Sequence, residues 1–175
     1  YSKVEGFAFL PITCFAMALT TFIGQNLGAR QYDRAKKGAL FGTVCGIGIA
    51  EVIGIAVFFF SPYLIAAFGG DQKAIEYGIA EAHTIALFYC LLAFSHCMAA
   101  IQRGAGRSIV PMFVMMIVWC GVRVTYISIV IRIIPVINVI YWAYPLTWFI
   151  SSVIFLILFL KTDWIHGLEK QGQGA

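Results

Sequence analysis

Several ionisable side chains stand inside long apolar stretches of this sequence, where a charge is costly to keep. Glu51 lies near the middle of one stretch, and Glu81 and His83 lie in the first half of the next. A charged group at the centre of a bilayer costs at least about 2.5 kcal/mol, so it persists only where another group compensates it. Carboxylates and imidazoles in such surroundings can bind and release cations, which makes Glu81, Glu51 and His83 candidate ion-coupling residues. As structural alternatives, Glu51 could be a protonated acid bonded to a backbone carbonyl, and His83 could reach interfacial water.

A basic residue, Arg123, stands in the second half of a later apolar stretch. From a helical rise of about 1.5 Å per residue, Glu81 lies about 9 Å and Arg123 about 12 Å from the same membrane face. We therefore predict an intramembrane ion pair between Glu81 and Arg123, provided that their helices are neighbours. Such a pair could be a static bridge, or it could break and re-form in a conformational cycle.

Three further polar residues, Thr20, Thr21 and Gln25, lie toward one side of the first apolar stretch. They are candidates for lining a cavity. The alternative is that the threonine hydroxyls bond to carbonyls one turn back, as they commonly do in helices.

The composition indicates that a membrane holds these residues in place. Apolar residues make up 61% and charged residues 11% of the 175, with a mean hydropathy of +0.89, whereas soluble domains carry about 25% charged residues. A run of about 20 apolar residues crosses the hydrocarbon core as a helix, which satisfies its own backbone. The third run exceeds one bilayer thickness and should tilt or project. We predict an all-α, polytopic membrane helix bundle with five transmembrane helices, at about 6–28, 38–61, 75–102, 109–131 and 139–160.

The second predicted helix carries a small residue at every fourth position. Such a stripe allows another helix to approach closely. The residues are Gly38, Gly42, Gly46, Ala50 and Gly54.

The basic residues between the predicted helices orient the bundle. Most lie in 29–37, in 103–108 and after residue 160, and the positive-inside rule places these segments and the tail 162–175 in the cytoplasm. Tyr1 is then expected outside, so at least one more span should precede it. The basic residues on the cytoplasmic side are Arg30, Arg34, Lys36, Lys37, Arg103, Arg107, Lys161 and Lys170, and those opposite are Lys3, Lys73 and Arg132.

Other functional classes find little support in the sequence. It contains no HExxH, GxSxG or Walker motif, so we expect no enzyme and no catalytic residues. The five cysteines lie in apolar runs without zinc-ligand spacing, and we predict neither a metal site nor a cofactor. The basic residues form no patch interleaved with aromatics, which argues against nucleic acid as a partner.

Three segments, taken in order, resemble one protein family. They are "IGQNLGARQYDRAKKG" (23–38), "IQRGAGRSIVPM" (101–112) and "YPLTWFISSVIFLILFL" (144–160), with "GVRVTYI" (121–127) before the last. Together they resemble the C-terminal half of MATE proteins, the multidrug and toxic compound extrusion transporters. The resemblance covers nearly the whole chain and implies that residues 1–161 form a partial C-terminal lobe, helices eight to twelve of a twelve-helix fold.

The resemblance implies a multi-pass protein of the cell membrane that exports small organic, cationic or amphipathic compounds in exchange for H⁺ or Na⁺. We favour the proton, since Glu51, Glu81 and His83 can all titrate. Several family members carry a coupling carboxylate in the helix where Glu81 lies. The implied partners are the organic substrate, the lipid bilayer, and the N-terminal lobe and seventh helix of the same protein, without which the 175 residues should not transport.

Two alternatives stay open. A lipid-linked sugar flippase of the same superfamily would hold a pyrophosphate in a strongly basic cavity, whereas here only Arg123 lies within a span. A non-transporting membrane scaffold would use the small-residue stripe as its contact surface. Such a scaffold would tolerate neutral substitutions of Glu51, Glu81 and Arg123.

Overall fold

The computed structural model describes residues 1–69, 71–134 and 136–165, which are helical apart from short connections and contain no strand. The predicted all-α fold class is therefore confirmed. The span Ile109–Ile133 is continuous and has a π-helical segment at its centre. The helices are α1 (Ser2–Gly28), α2 (Tyr32–Ala67), α3 (Gln72–Ala86), α4 (Tyr89–Gly104), α5 (Ile109–Met115), the π-helical segment (Met116–Val122), α6 (Arg123–Ile133) and α7 (Asn138–Lys161).

The length and composition of these helices suit a membrane. Among the described residues, four spans are long and apolar enough to cross a bilayer: α1, α2, α7 and the continuous span Ile109–Ile133. The pair α3 and α4 makes a fifth if it is counted as one bent span. Large apolar side chains such as Phe41, Phe59 and Leu160 point outward and are more than two-thirds exposed. An outward apolar surface of this kind fits lipid contact, so the predicted polytopic membrane bundle is also confirmed.

The third predicted span, 75–102, is not a single helix. α3 and α4 are bent by 58° at a break over Leu87 and Phe88. Neither glycine nor proline marks this break, and a continuous apolar run predicts one helix there. α2, at 36 residues, is the longest helix instead.

The small-residue stripe of α2 faces the bundle, as predicted. A Cβ atom on Gly42 would lie 2.6 Å from Leu19 of α1, and one on Gly46 would lie 2.6 Å from the Cys97 sulfur of α4. At these distances an added methyl group would force the Leu19 and Cys97 side chains to move. α1 and α4 therefore pack directly against the backbone of α2.

The turn after α1 has the geometry of a Schellman motif. Arg30 has a positive φ of 57°, and its N–H donates to the Leu27 carbonyl at 3.0 Å. The next N–H, of Gln31, donates to the Asn26 carbonyl at 2.8 Å. Together these bonds satisfy two carbonyls that the end of a helix leaves free.

The turn after α4 repeats the same pattern of bonds. Gly106 has φ 78°, and its N–H donates to the Arg103 carbonyl while that of Arg107 donates to the Gln102 carbonyl. The turns after α1 and α4 thus use the same backbone geometry, with a glycine in the left-handed position only after α4.

Candidate functional site

Arg123, the first residue of α6, lies among polar and aromatic side chains of α7 and the π-helical segment. Its Nη2 donates a hydrogen bond to Thr147 Oγ1 at 2.8 Å. The guanidinium carbon lies 4.2 Å from the ring centroid of Tyr144 and 5.7 Å from that of Trp119. A cation over an aromatic face gains about 0.5–2 kcal/mol. One hydroxyl and two rings therefore compensate the Arg123 charge.

The structure does not pair Glu81 with Arg123, contrary to the sequence prediction. Within the described residues, no carboxylate oxygen of Glu81 lies within 4.0 Å of the guanidinium nitrogens. The reason is the packing order of the helices. α3, which carries Glu81, packs against α2 and α7, whereas α6 packs against α7. Glu81 and Arg123 were predicted at similar depths in the membrane, but their helices, α3 and α6, are not neighbours in the bundle.

A second carboxylate, Glu5 of α1, interacts electrostatically with Glu81 and with Arg123. Glu5 and Glu81 are both half-buried, and neither carboxylate hydrogen-bonds to another described residue. Beside them, the hydroxyls of Tyr1 and Tyr89 form a hydrogen bond of 3.1 Å. Half-buried carboxylates without hydrogen-bonded partners can each take up a proton or attract a small cation. This is the chemistry that the arrangement best supports.

Sequence reasoning missed Glu5 because the first predicted span began at residue 6. The observed α1 begins at Ser2, so Glu5 lies within the helix. Ala8 and Ile12, three and seven residues further on, are buried. Helical periodicity from these two residues places Glu5 on the same side of α1, and this signal could have found it.

Glu51 has a partner that the sequence did not reveal. Its Oε1 accepts a hydrogen bond from the backbone N–H of Cys90 at 3.0 Å. In an unbroken helix that N–H would bond to the Ala86 carbonyl. The carboxyl oxygen is thus an acceptor for a backbone N–H, whereas the alternative considered from the sequence was an acid donating to a carbonyl.

His83 also bonds to a backbone group of the neighbouring helix. Its Nε2 lies 3.1 Å from the carbonyl oxygen of Phe58 in α2. Because a carbonyl oxygen only accepts, this nitrogen carries the proton. The imidazole ring also stacks on the Phe58 ring, with centroids 4.4 Å apart. In this structure His83 therefore links α3 to α2, and its role in proton movement stays a prediction.

The three residues predicted as candidates for lining a cavity lie on α1. The hydroxyls of Thr20 and Thr21 donate to the carbonyls of Ala16 and Met17, one turn back, at 3.0 and 3.2 Å. The side chain of Gln25 is exposed. The two threonines thus make the local bonds that were the alternative interpretation, and their place in a transport cavity stays a prediction.

A cluster of serines joins α4 to α7. Ser95 Oγ lies 3.0 Å from Ser151 Oγ and 3.0 Å from Ser152 Oγ, and all three residues are buried. Hydrogen bonds between membrane helices are worth about 0.6–2 kcal/mol. Sequence reasoning had no signal for this cluster, since a serine in a helix usually bonds within its own helix.

The sequence matches the MatE family over residues 1–127. This segment includes Glu5, Glu51, Glu81, His83 and Arg123. The chain therefore belongs to the MATE family of membrane transporters. With its apolar helices, family membership makes it a multi-pass membrane protein, and the family consists of transporters rather than enzymes.

The chain is also similar to a curated protein, the probable multidrug resistance protein NorM of Thermotoga maritima. The two are 28% identical over 118 residues. This alignment covers 67% of the chain and 25% of the relative. The chain thus spans about a quarter of the length of the curated relative that it matches.

Proposed function

We propose that this chain is part of a secondary active antiporter that exports small organic, cationic or amphipathic compounds in exchange for a cation. Family membership supports transport, and the name of the Thermotoga maritima relative supports organic substrates. The observation that carries the proposal is the pair Glu5 and Glu81. Two interacting, half-buried carboxylates without a hydrogen-bonded partner among the described residues supply the negative charge that a coupling cation requires.

Cation binding at these carboxylates would couple the two movements through charge. A bound proton or sodium ion removes negative charge that would otherwise attract a cationic substrate, so substrate affinity falls. The substrate then leaves, and the protein changes from the outward-open to the inward-open state. We favour the proton over sodium because a carboxylate can take up a proton directly.

Glu81 is the first candidate for the coupling residue. Glu51 and His83 are further candidates, but each already bonds to a backbone group in the structure. Arg123 contributes a positive charge that acts on Glu5 and bonds to Thr147 rather than to Glu81.

The proposal includes a location and partners. The protein would lie in the cell membrane with residues 29–37, 103–108 and the C-terminus in the cytoplasm. Its partners would be the organic substrate, the bilayer and the remaining lobe of the same transporter. No bound cofactor is proposed beyond the coupling cation.

The test is export of ethidium by the full-length protein in everted vesicles, driven by either a pH gradient or a sodium gradient. The cytoplasmic face of such vesicles points outward, so efflux activity is measured as uptake of the dye. Glu81→Gln keeps the shape of the side chain but removes its titratable group, so we expect it to lower cation-driven efflux at least tenfold. Glu76→Gln is the matched control, since Glu76 is an exposed carboxylate on the same helix. It should transport as the wild type does.

Undiminished efflux by Glu81→Gln, at equal expression, would exclude Glu81 as the coupling residue. Glu5→Gln should then be examined in the same assay. If neither gradient moves the dye in the wild type, antiport of organic cations is wrong, and the flippase and scaffold alternatives gain support.

A further inference from the structure

α2 and the pair α3 and α4 each contain one interruption of backbone hydrogen bonding. At each interruption, a backbone group without a helical partner forms a hydrogen bond with a side chain of the other element. We call the two bonds the reciprocal links: Glu51 to the Cys90 N–H, and His83 to the Phe58 carbonyl.

The first link satisfies a donor at the break between α3 and α4. At the break, the Phe88 N–H donates to the Ile85 carbonyl, three residues back. The Cys90 N–H donates to Glu51 Oε1 at 3.0 Å. The first N–H groups of a helix have no partner within it and carry partial positive charge. A carboxyl oxygen from α2 is a well-suited acceptor at this position.

The second link satisfies an acceptor in α2. Pro62 has no N–H, so the Phe58 carbonyl, four residues earlier, has no helical donor. Ser61 Oγ donates to this carbonyl at 3.2 Å, and His83 Nε2 donates at 3.1 Å. The bond from α3 thus replaces the one that proline removes.

Close backbone contact lies between the two links. A Cβ atom on Gly54 would stand 2.5 Å from the carbonyl oxygen of Ala86, the last residue of α3. Gly54 follows Glu51 by three residues, so both lie on the same face of α2. α2 therefore meets the break itself, with its backbone as well as with a side chain.

We propose that Glu51 and His83 are positioning residues: the reciprocal links hold α3 at its angle to α4 and so fix the place of Glu81. Glu81 lies on α3 two residues before His83, so both points of attachment are on its C-terminal side, toward the break. This inference rests on the proposed function for the role of Glu81, but the links themselves do not depend on that role.

The angle can be measured directly in the full-length protein. Spin labels on cysteines at Gln72 and Ser108, in a background without native cysteines, report the distance between the far end of α3 and the turn after α4. Both positions are exposed. α3 is about 22 Å long, so each 10° of rotation at the break moves its Gln72 end by about 4 Å. At a bend of 58°, this displacement changes the distance to Ser108 by about 2 Å.

We expect Glu51→Ala to shift or broaden the distance distribution by at least that amount. Glu51→Gln keeps an oxygen that can accept the Cys90 N–H, so it should retain the wild-type distribution. His83→Ala should broaden it, and His83→Gln, which keeps a donor, should restore it at least in part. An unchanged distribution in both alanine variants would overturn the proposal.

Transport kinetics provide the second readout. If Glu51 acts by positioning Glu81, Glu51→Ala should raise the cation concentration at half-maximal rate about tenfold, and Glu51→Gln should restore it. If Glu51→Gln is as impaired as Glu51→Ala while its distances are those of the wild type, Glu51 acts as a titrating group and the proposal is wrong. A wild type without efflux would refute the proposed function alone, since the distances still test the links.

Discussion

Among the described residues, Arg30 is the non-glycine residue with a positive φ. The left-handed conformation brings Cβ close to the following carbonyl oxygen and costs about 1–2 kcal/mol for an ordinary residue. The turn after α4 has the same hydrogen bonds but places Gly106 at the corresponding position. The two turns thus provide a comparison of arginine and glycine in one backbone geometry.

We predict that Arg30→Gly raises the stability of the full-length protein by about 1 kcal/mol, because glycine adopts the left-handed conformation without steric cost. Thermal unfolding in detergent would measure the change. Arg30→Ala is the control, since it removes the same charge but keeps Cβ and should give no gain. A gain of equal size in both variants would attribute the effect to the charge.

Single residues also show where sequence reasoning reached its limit. It found Glu51, Glu81 and Arg123 as costly charges, because an ionisable residue in an apolar run is visible without a structure. It did not find their partners. The Glu51 bond depends on a helix break, and the contacts of Arg123 depend on which helices are neighbours.

At the scale of elements, α2 determines how closely its neighbours approach. Gly54 meets the carbonyl of Ala86 at the break between α3 and α4, whereas a Cβ atom on Gly48, an exposed residue of the same helix, would have nothing within 4 Å. The two glycines have the same helix propensity. Only their surroundings differ.

We predict that Gly54→Ala lowers stability by about 1–3 kcal/mol, because its methyl group would force the backbone of α3 away from α2. Gly48→Ala is the matched variant. It should be neutral or gain up to about 1 kcal/mol from the better helix propensity of alanine. Equal effects of the two substitutions on thermal unfolding would show that the close contact at Gly54 does not affect stability.

The elements themselves were predictable to different degrees. Each predicted apolar run falls within helices of the structure, since the length of a run and the demands of a bilayer leave no other regular structure. The break in the third run was not predictable from Leu87 and Phe88, which are ordinary helix residues. It accompanies contacts made by Glu51 and Gly54, which lie more than 30 positions earlier in the sequence.

At the scale of the whole molecule, the basic turns and the ends of several helices lie together. Leu27, Ala105 and Trp164 belong to one buried cluster, so the C-terminal ends of α1, α4 and α7 are close in space. Arg107 also donates to the Asp163 carbonyl at 3.0 Å and ties the turn after α4 to the segment after α7. Each of these helix ends is followed or bordered by Arg or Lys, which compensates its partial negative charge.

We predict that this end of the molecule faces the cytoplasm. A cysteine introduced at Ser108 should react with a membrane-impermeant maleimide only after intact cells are permeabilised, and one at Gln72 should react before. Both positions are exposed, so accessibility reports sidedness. The reverse pattern would invert the orientation drawn from the basic residues.

The length of α2 gives the reciprocal links a depth. Its 36 residues extend about 54 Å, well beyond a hydrocarbon core of about 30 Å, so part of the helix must reach the headgroups. With Lys37 at one boundary, the core ends near Val57, and the exposed rings of Phe59, Phe60 and Tyr63 fall at the opposite interface. Water at that boundary can replace His83 at the Phe58 carbonyl. Glu51 lies six residues, or about 9 Å, further inside the core than this boundary. Water should therefore replace its bond to the Cys90 N–H less readily than it replaces the His83 bond.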